Sequence, residues 1–113
     1  MKVIIAGSRS LDDYQEVVRA VYYSGFQIDT VVSGSCRGVD ELGEEWAEQF
    51  FKKVKKFSPN WQALGKAAGP RRNREMADYA DALILIWDGK SRGSKSMKYE
   101  MKKRKKPIYE VIV

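Results

Sequence analysis

Histidine is absent from the 113 residues, and cysteine occurs once, at position 36. The missing imidazole removes Ser-His and Cys-His nucleophile pairs, so any acid–base chemistry falls to carboxylates. The two scarcities together leave no conventional zinc site, and no metal or other cofactor is expected. A lone cysteine forbids an internal disulfide and suits a reducing cytosol, which sets the expected location as cytoplasmic. No apolar run approaches the ~18 residues of a membrane span. The start, Met1–Gly7, reads as a first strand rather than a signal peptide. Repeats, low-complexity tracts and interdomain linkers are missing too, so residues 1–113 are expected to form one domain.

What is present is a soluble-type composition, 43% hydrophobic and 32% charged, with a formal charge of +6 that favours anionic partners. Short apolar runs alternate with helical stripes. Val3–Ala6 has the continuous apolar character of a strand buried on both faces. A helix over Leu11–Tyr23 follows, with Ser10 and Asp13 as a capping box and Gly25 as its end. Ile28–Ser33 is a second strand and Gly38–Phe51 a second helix. Lys53–Phe57 reads as an edge strand guarded by lysines. Ser58–Gly69 shows no period and reads as a long functional loop containing Trp61. Pro70 opens a helix to Tyr79. Ala82–Trp87 is the most apolar strand, Ser94–Arg104 the last helix and Pro107–Val113 the last strand. Strands alternating with helices predict an α/β fold of three layers. Its sheet has five mostly parallel strands in order 3-2-1-4-5, with helices on both faces.

Three turns of small polar residues and arginine stand where strands hand over to helices. They are Gly7-Ser8-Arg9-Ser10, Ser33-Gly34-Ser35-Cys36-Arg37-Gly38 and Asp88-Gly89-Lys90-Ser91-Arg92-Gly93-Ser94. In an open parallel sheet such turns share the carboxyl edge, where ligands bind. Backbone N–H groups and a helix N-terminus make the Ser33–Gly38 turn the foremost phosphate candidate, with Ser35 and Arg37 adding contacts. Arg9 is placed to close over an anion or to pair with Asp12 or Asp13. Lys90 and Arg92 suit a second phosphate, whereas Ser94 serves equally as a helix cap. Trp61 suits base stacking and Asn60 a base-edge bond, or Trp61 covers the core. Arg71, Arg72 and Arg74 oppose the dipole of the helix they open, which suggests an anionic partner, and Asn73 is the member aimed at the ligand. Asp40 is the carboxylate for a ribose hydroxyl, or an ordinary helix-start residue. The lysines at 52, 53, 55 and 56 and the basic run Lys102–Lys106 read as solvated faces, since the aromatics of a nucleic-acid stacking platform are missing around them.

The ordered set Gly7-Ser8-Arg9, Val32-Ser33-Gly34, Arg37-Gly38-Val39-Asp40, Trp61, Gly65–Pro70, Arg72-Asn73, Met76-Ala77 and Asp88–Gly93 resembles the YspA-like, cpYpsA-related branch of the SLOG superfamily. These are small Rossmann-like domains related to the LOG phosphoribohydrolases and DprA. The resemblance implies a nucleotide or nucleotide-derived ligand with a signalling or sensor role, and it alone implies a homodimer. Ser35 and Cys36 stand where that branch typically has Gly and Ala. Met97 stands where the hydrolytic relatives have an acidic residue. Three functions follow: a nucleotide-binding module, an N-glycosidic or phosphoribosyl hydrolase using Asp40, Glu100 or Asp88, and a nucleic-acid binder. The expected ligand contacts are Gly7, Ser8, Arg9, Ser33, Gly34, Ser35, Arg37, Gly38, Asp40, Trp61, Arg72, Asn73, Asp88, Lys90, Arg92, Gly93 and Ser94.

Overall fold

Ala82–Trp87 is buried along its whole length, and the sheet is organised around it and its neighbour in the computed structural model, which describes residues 1–113. The strands are β1 (Lys2–Gly7), β2 (Thr30–Ser33), β3 (Lys53–Lys56), β4 (Ala82–Trp87) and β5 (Ile108–Ile112). They form one sheet in the order β3-β2-β1-β4-β5. Every pairing is parallel, with Ile5 opposite Ile84 and Gly7 opposite Ile86. The helices are α1 (Tyr14–Ser24), α2 (Val39–Gln49), α3 (Trp61–Leu64), α4 (Ala68–Tyr79) and α5 (Arg92–Lys103). No helix is long and apolar enough to cross a membrane.

The sheet divides the core in two. On one side α1 and α2 bury Val17, Ala20, Val39 and Trp46 against Val3, Ile5, Ile84 and Ile86. On the other, α4 and α5 bury Met76, Ala77, Met97 and Met101 against Ile4, Leu83, Leu85 and Trp87. The strand period of two explains this division, because alternate β4 residues face opposite layers. The edge strand β3 is exposed throughout, as its lysines imply.

Three local expectations need correction. Asp13, not Ser10, caps α1, its carboxylate accepting from the Gln15 N–H, so the helix starts at Tyr14. Leu11 keeps its apolar contact from the preceding turn, where its N–H reaches the Ser8 carbonyl. The supposed loop Ser58–Gly69 holds α3, a 3-10 turn over Gly65–Ala67 and the start of α4 at Ala68. Pro70 is therefore the third residue of α4, where a missing N–H still costs no helical bond. Finally, Ser91 caps α5 and Ser94 lies within its first turn.

Candidate functional site

The ends of β1, β2 and β4 meet because the backbone turns touch. Gly38 has φ 77°, and a Cβ there would lie 2.3 Å from the Ser8 carbonyl oxygen, so glycine lets the first two turns close on each other. The Val39 N–H donates to that same Ser8 carbonyl at 3.2 Å, and the Ser8 N–H donates to Ile86 at 3.0 Å. The Ser8 backbone thus clasps the turns together, while its buried hydroxyl has no hydrogen-bond partner in the protein.

Between the turns lies a cavity of about 270 Å³. Gly7 and Arg9 come to it from β1, Gly34, Cys36 and Asp40 from the second turn and α2, Arg72, Asn73 and Met76 from α4, and Ser91, Gly93, Ser94 and Met97 from α5. A neighbouring hollow of about 410 Å³ is lined by Ser35, Arg37, Ser58, Pro59 and Trp61, and shares Arg9 and Cys36 with the first.

Asp40 is the central carboxylate. It is 6% exposed, and its one hydrogen bond from the protein is the Cys36 N–H to Oδ2 at 3.2 Å. Burial pushes its carboxyl up to about 6, opposed by that N–H and by the charges of Arg72 and Arg9, and reinforced by Glu44. Gly34 leaves room beside it, since a Cβ would fall 2.8 Å from both Asp40 Oδ2 and Arg72 Nη1 and these two side-chain ends would have to shift.

Arg72 leans from α4 across the cavity to donate to the Gly34 carbonyl, and its Nε donates to Asn73 Oδ1 at 3.0 Å. Asn73 is buried, and its amide donates to the Gly93 carbonyl at 3.3 Å and to Ser96 Oγ at 3.2 Å. It therefore lines the cavity while tying α4 to the start of α5, and its polar atoms already have protein partners. Arg9 makes no pair with Asp12 or Asp13; its Nη2 lies 3.9 Å from Cys36 Sγ, and Arg72 Nη1 lies 3.7 Å from the same sulfur.

Several expected contacts stand elsewhere. Ser33 Oγ donates to Glu44 and accepts from the Ser35 N–H, which makes it the frame of the turn. Glu100 sits further down α5 and pairs with Arg104 at 2.7 Å, away from the cavity. Asp88 is exposed and held below the usual carboxylate range by the N–H groups of Lys90 and Ser91. Lys90 and Arg92 are exposed and outside both hollows, while Ser91, Gly93 and Ser94 of the same turn reach the first. Asn60 caps α3 through the Ala63 N–H and leaves Trp61 half exposed on the second hollow. Cys36, Ser91 and Met97 line the site without having been singled out as contacts. Met97 was legible from its spacing, three residues beyond Ser94 on one helical face.

The basic run near the carboxyl end is partly occupied internally. Arg104 pairs with Asp78 and Glu100, and Lys106 donates to the carbonyls of Ala77, Asp78 and Ala80 at the end of α4.

A doubly wound parallel sheet with a cavity at the end of its central strands defines a Rossmann-like protein. DNA processing protein A from Streptococcus pneumoniae shares this fold, with a TM-score of 0.77 over 96% of the chain at 19% identity, although the chain spans only 49% of that protein. The profile of the YspA, cpYpsA-related SLOG family matches residues 1–64, and the chain belongs to that family. It is also 31% identical to the Gene 61 protein of Mycobacterium phage D29, across 95% of this chain and 93% of that one. That second likeness extends past the profile to the part carrying Arg72, Asn73 and the last turn.

Proposed function

We propose that the protein binds a nucleotide or nucleotide-derived molecule at the carboxyl edge of its sheet. The phosphate lies between Arg9 and the start of α5, and a sugar hydroxyl donates to Asp40. The observation that carries this reading is the cavity itself. Two guanidinium groups, the first turn of α5 and a buried carboxylate with an open oxygen all line it. α5 has no acidic residue in its first turn, so its N-terminal partial charge is free to act on a ligand anion. The single cysteine at the site supports a cytoplasmic, reducing setting.

Thermal denaturation against a panel of nucleoside mono-, di- and triphosphates, dinucleotides and cyclic nucleotides tests the reading. A ligand at a hundred times its Kd adds ~2.7 kcal/mol, enough to raise Tm by roughly 10 °C in a domain of this size. A panel without any shift overturns it.

Asp40 also supports a second reading, hydrolysis of an N-glycosidic bond, because a carboxyl near 6 exchanges protons readily around neutral pH. Met97, facing the same cavity, supplies no partner carboxylate, and glycoside hydrolysis ordinarily uses two. Release of free base from nucleoside monophosphates, lost in Asp40→Asn while binding persists, would establish the enzyme. Nucleic acid is a third partner class, supported by the +6 charge. Affinity insensitive to salt would remove it.

A further inference from the structure

The two hollows differ in chemistry as well as position. The inner one, about 270 Å³, has no aromatic ring; Met76 and Met97 form its apolar wall and Asp40 its acceptor. The outer one, about 410 Å³, offers the Trp61 indole, the Arg37 guanidinium and two serine hydroxyls. Arg9 and Cys36 belong to both and form the waist between them.

The outer lobe is built rather than incidental. Trp61 begins α3, whose capped start fixes the backbone, and its ring tip covers Gly69, 3.5 Å from where a Cβ would stand. Ser58 Oγ bonds to Ser35 Oγ at 3.3 Å, joining the turns that form the two walls. Ser35 holds φ 62°, a left-handed conformation that a serine adopts at a cost and that directs the chain into Cys36 at the waist.

Charge sets the ligand. Arg9, Arg37 and Arg72 face the two lobes against the one carboxylate of Asp40. That surplus of two positive charges matches a bridging diphosphate better than a single phosphate monoester in one lobe. An aromatic platform on one side only calls for one base, and an aromatic-free lobe with a buried acceptor calls for a hydroxylated, non-aromatic ring.

We infer that, granted the nucleotide-binding reading above, the ligand is a nucleoside diphosphate joined to a second sugar, threaded through the waist. The base stacks on Trp61, the diphosphate spans Arg37, Arg9 and the start of α5, and the distal sugar donates a hydroxyl to Asp40.

The test compares nine probes by calorimetry: AMP, ADP and ADP-ribose, UMP, UDP and UDP-glucose, GMP, GDP and GDP-mannose. In at least one series, affinity should rise with the second phosphate and again, about tenfold, with the sugar. Trp61→Ala should weaken the best probe roughly fivefold or more, and Trp61→Phe should restore it. Asp40→Asn should cancel only the increment due to the sugar. Because Cys36 is the sole thiol, the bound conjugate should also slow its alkylation by iodoacetamide. Monophosphates that bind as tightly as the conjugates in every series, or a best probe unaffected by Trp61→Ala, would sink the threaded ligand and leave the nucleotide-binding reading standing. If none of the nine binds, the threaded ligand falls, and the nucleotide-binding reading falls with it only if the wider thermal panel is also blank.

Discussion

Two helices begin beside the same cavity, and they treat their N-terminal charge in opposite ways. α2 carries Asp40 and Glu41 in its first turn, has no side-chain cap, and gives its Val39 N–H to the Ser8 carbonyl. α5 carries no acidic residue in its first turn, is capped by Ser91, and leaves the Arg92 and Gly93 N–H groups without protein acceptors. The first helix start is largely neutralised by its own carboxylates, and the second keeps its positive end uncompensated. A glycine-bearing turn is therefore not by itself a phosphate seat. Both starts leave two N–H groups without protein acceptors, those of Asp40 and Glu41 in α2 and of Arg92 and Gly93 in α5, so what decides is the charge that stands in the first turn.

Substitutions at the two starts break that comparison most strongly at Gly38. Gly38→Ala meets both a forbidden backbone region and the Ser8 carbonyl 2.3 Å away, so it should destabilise by about 3 kcal/mol or more. Gly93→Ala meets nothing within 4 Å and should be neutral or stabilising by up to ~1 kcal/mol. Urea unfolding of the pair measures the contrast; equal effects would contradict it.

Asp40→Asn comes next. Its carboxyl titrates at about 6 folded against an ordinary 3.8, so the folded state holds the proton more tightly. Its stabilising share is complete below pH 3.8 and lost as pH rises through about 6. The gap of about two pH units corresponds to up to ~3 kcal/mol. The asparagine variant, which keeps an acceptor for the Cys36 N–H, should thus be more stable than the parent at pH 8. Its stability should also vary less between pH 4 and 7. A parent whose stability is flat over that range would refute the assignment.

A carboxylate moved to the other helix sharpens the contrast further. Ser94→Asp should weaken binding of the best nucleotide probe by roughly tenfold, because a negative charge then occupies the start of α5. Glu41→Gln, removing one from α2, should leave binding within about twofold. Calorimetric titration of both variants reads the difference. Ser91→Ala, which loses the α5 cap, should cost about 1 kcal/mol of stability. No counterpart exists at α2, where Gly38 precedes the helix without a side-chain cap.

Much of this architecture could be read from the chain. The apolar runs at Val3–Ala6 and Ala82–Trp87, and the lysine-guarded strand at Lys53–Lys56, fix which strands are inner and which is edge. The gathering of the three turns at one edge follows from that order. The start of α1 was misread because Ser10 and Asp13 are both good caps, and local chemistry alone does not choose between them. α3 was hidden because four helical residues between a serine-proline turn and two glycines carry no periodicity. Within the site, Asp40 and Arg72 were legible as residue types, but their roles were not. Arg72 meets Gly34 across 38 residues of chain, and the Val39 N–H meets Ser8 across 31, so only packing reveals those bonds.

The alternation along β4 has a consequence of its own. Ala82, Ile84 and Ile86 face one layer, and the bulkier Leu83, Leu85 and Trp87 face the other. A slip by one residue against β1 would exchange those sets and drive the indole into a space shaped for isoleucine. It would also carry the Asp88–Ser94 turn roughly 3.3 Å out of line with its two neighbours. The difference in girth between the strand's two sides is thus a key cut for one lock, and it holds the rim of the cavity in alignment from beneath.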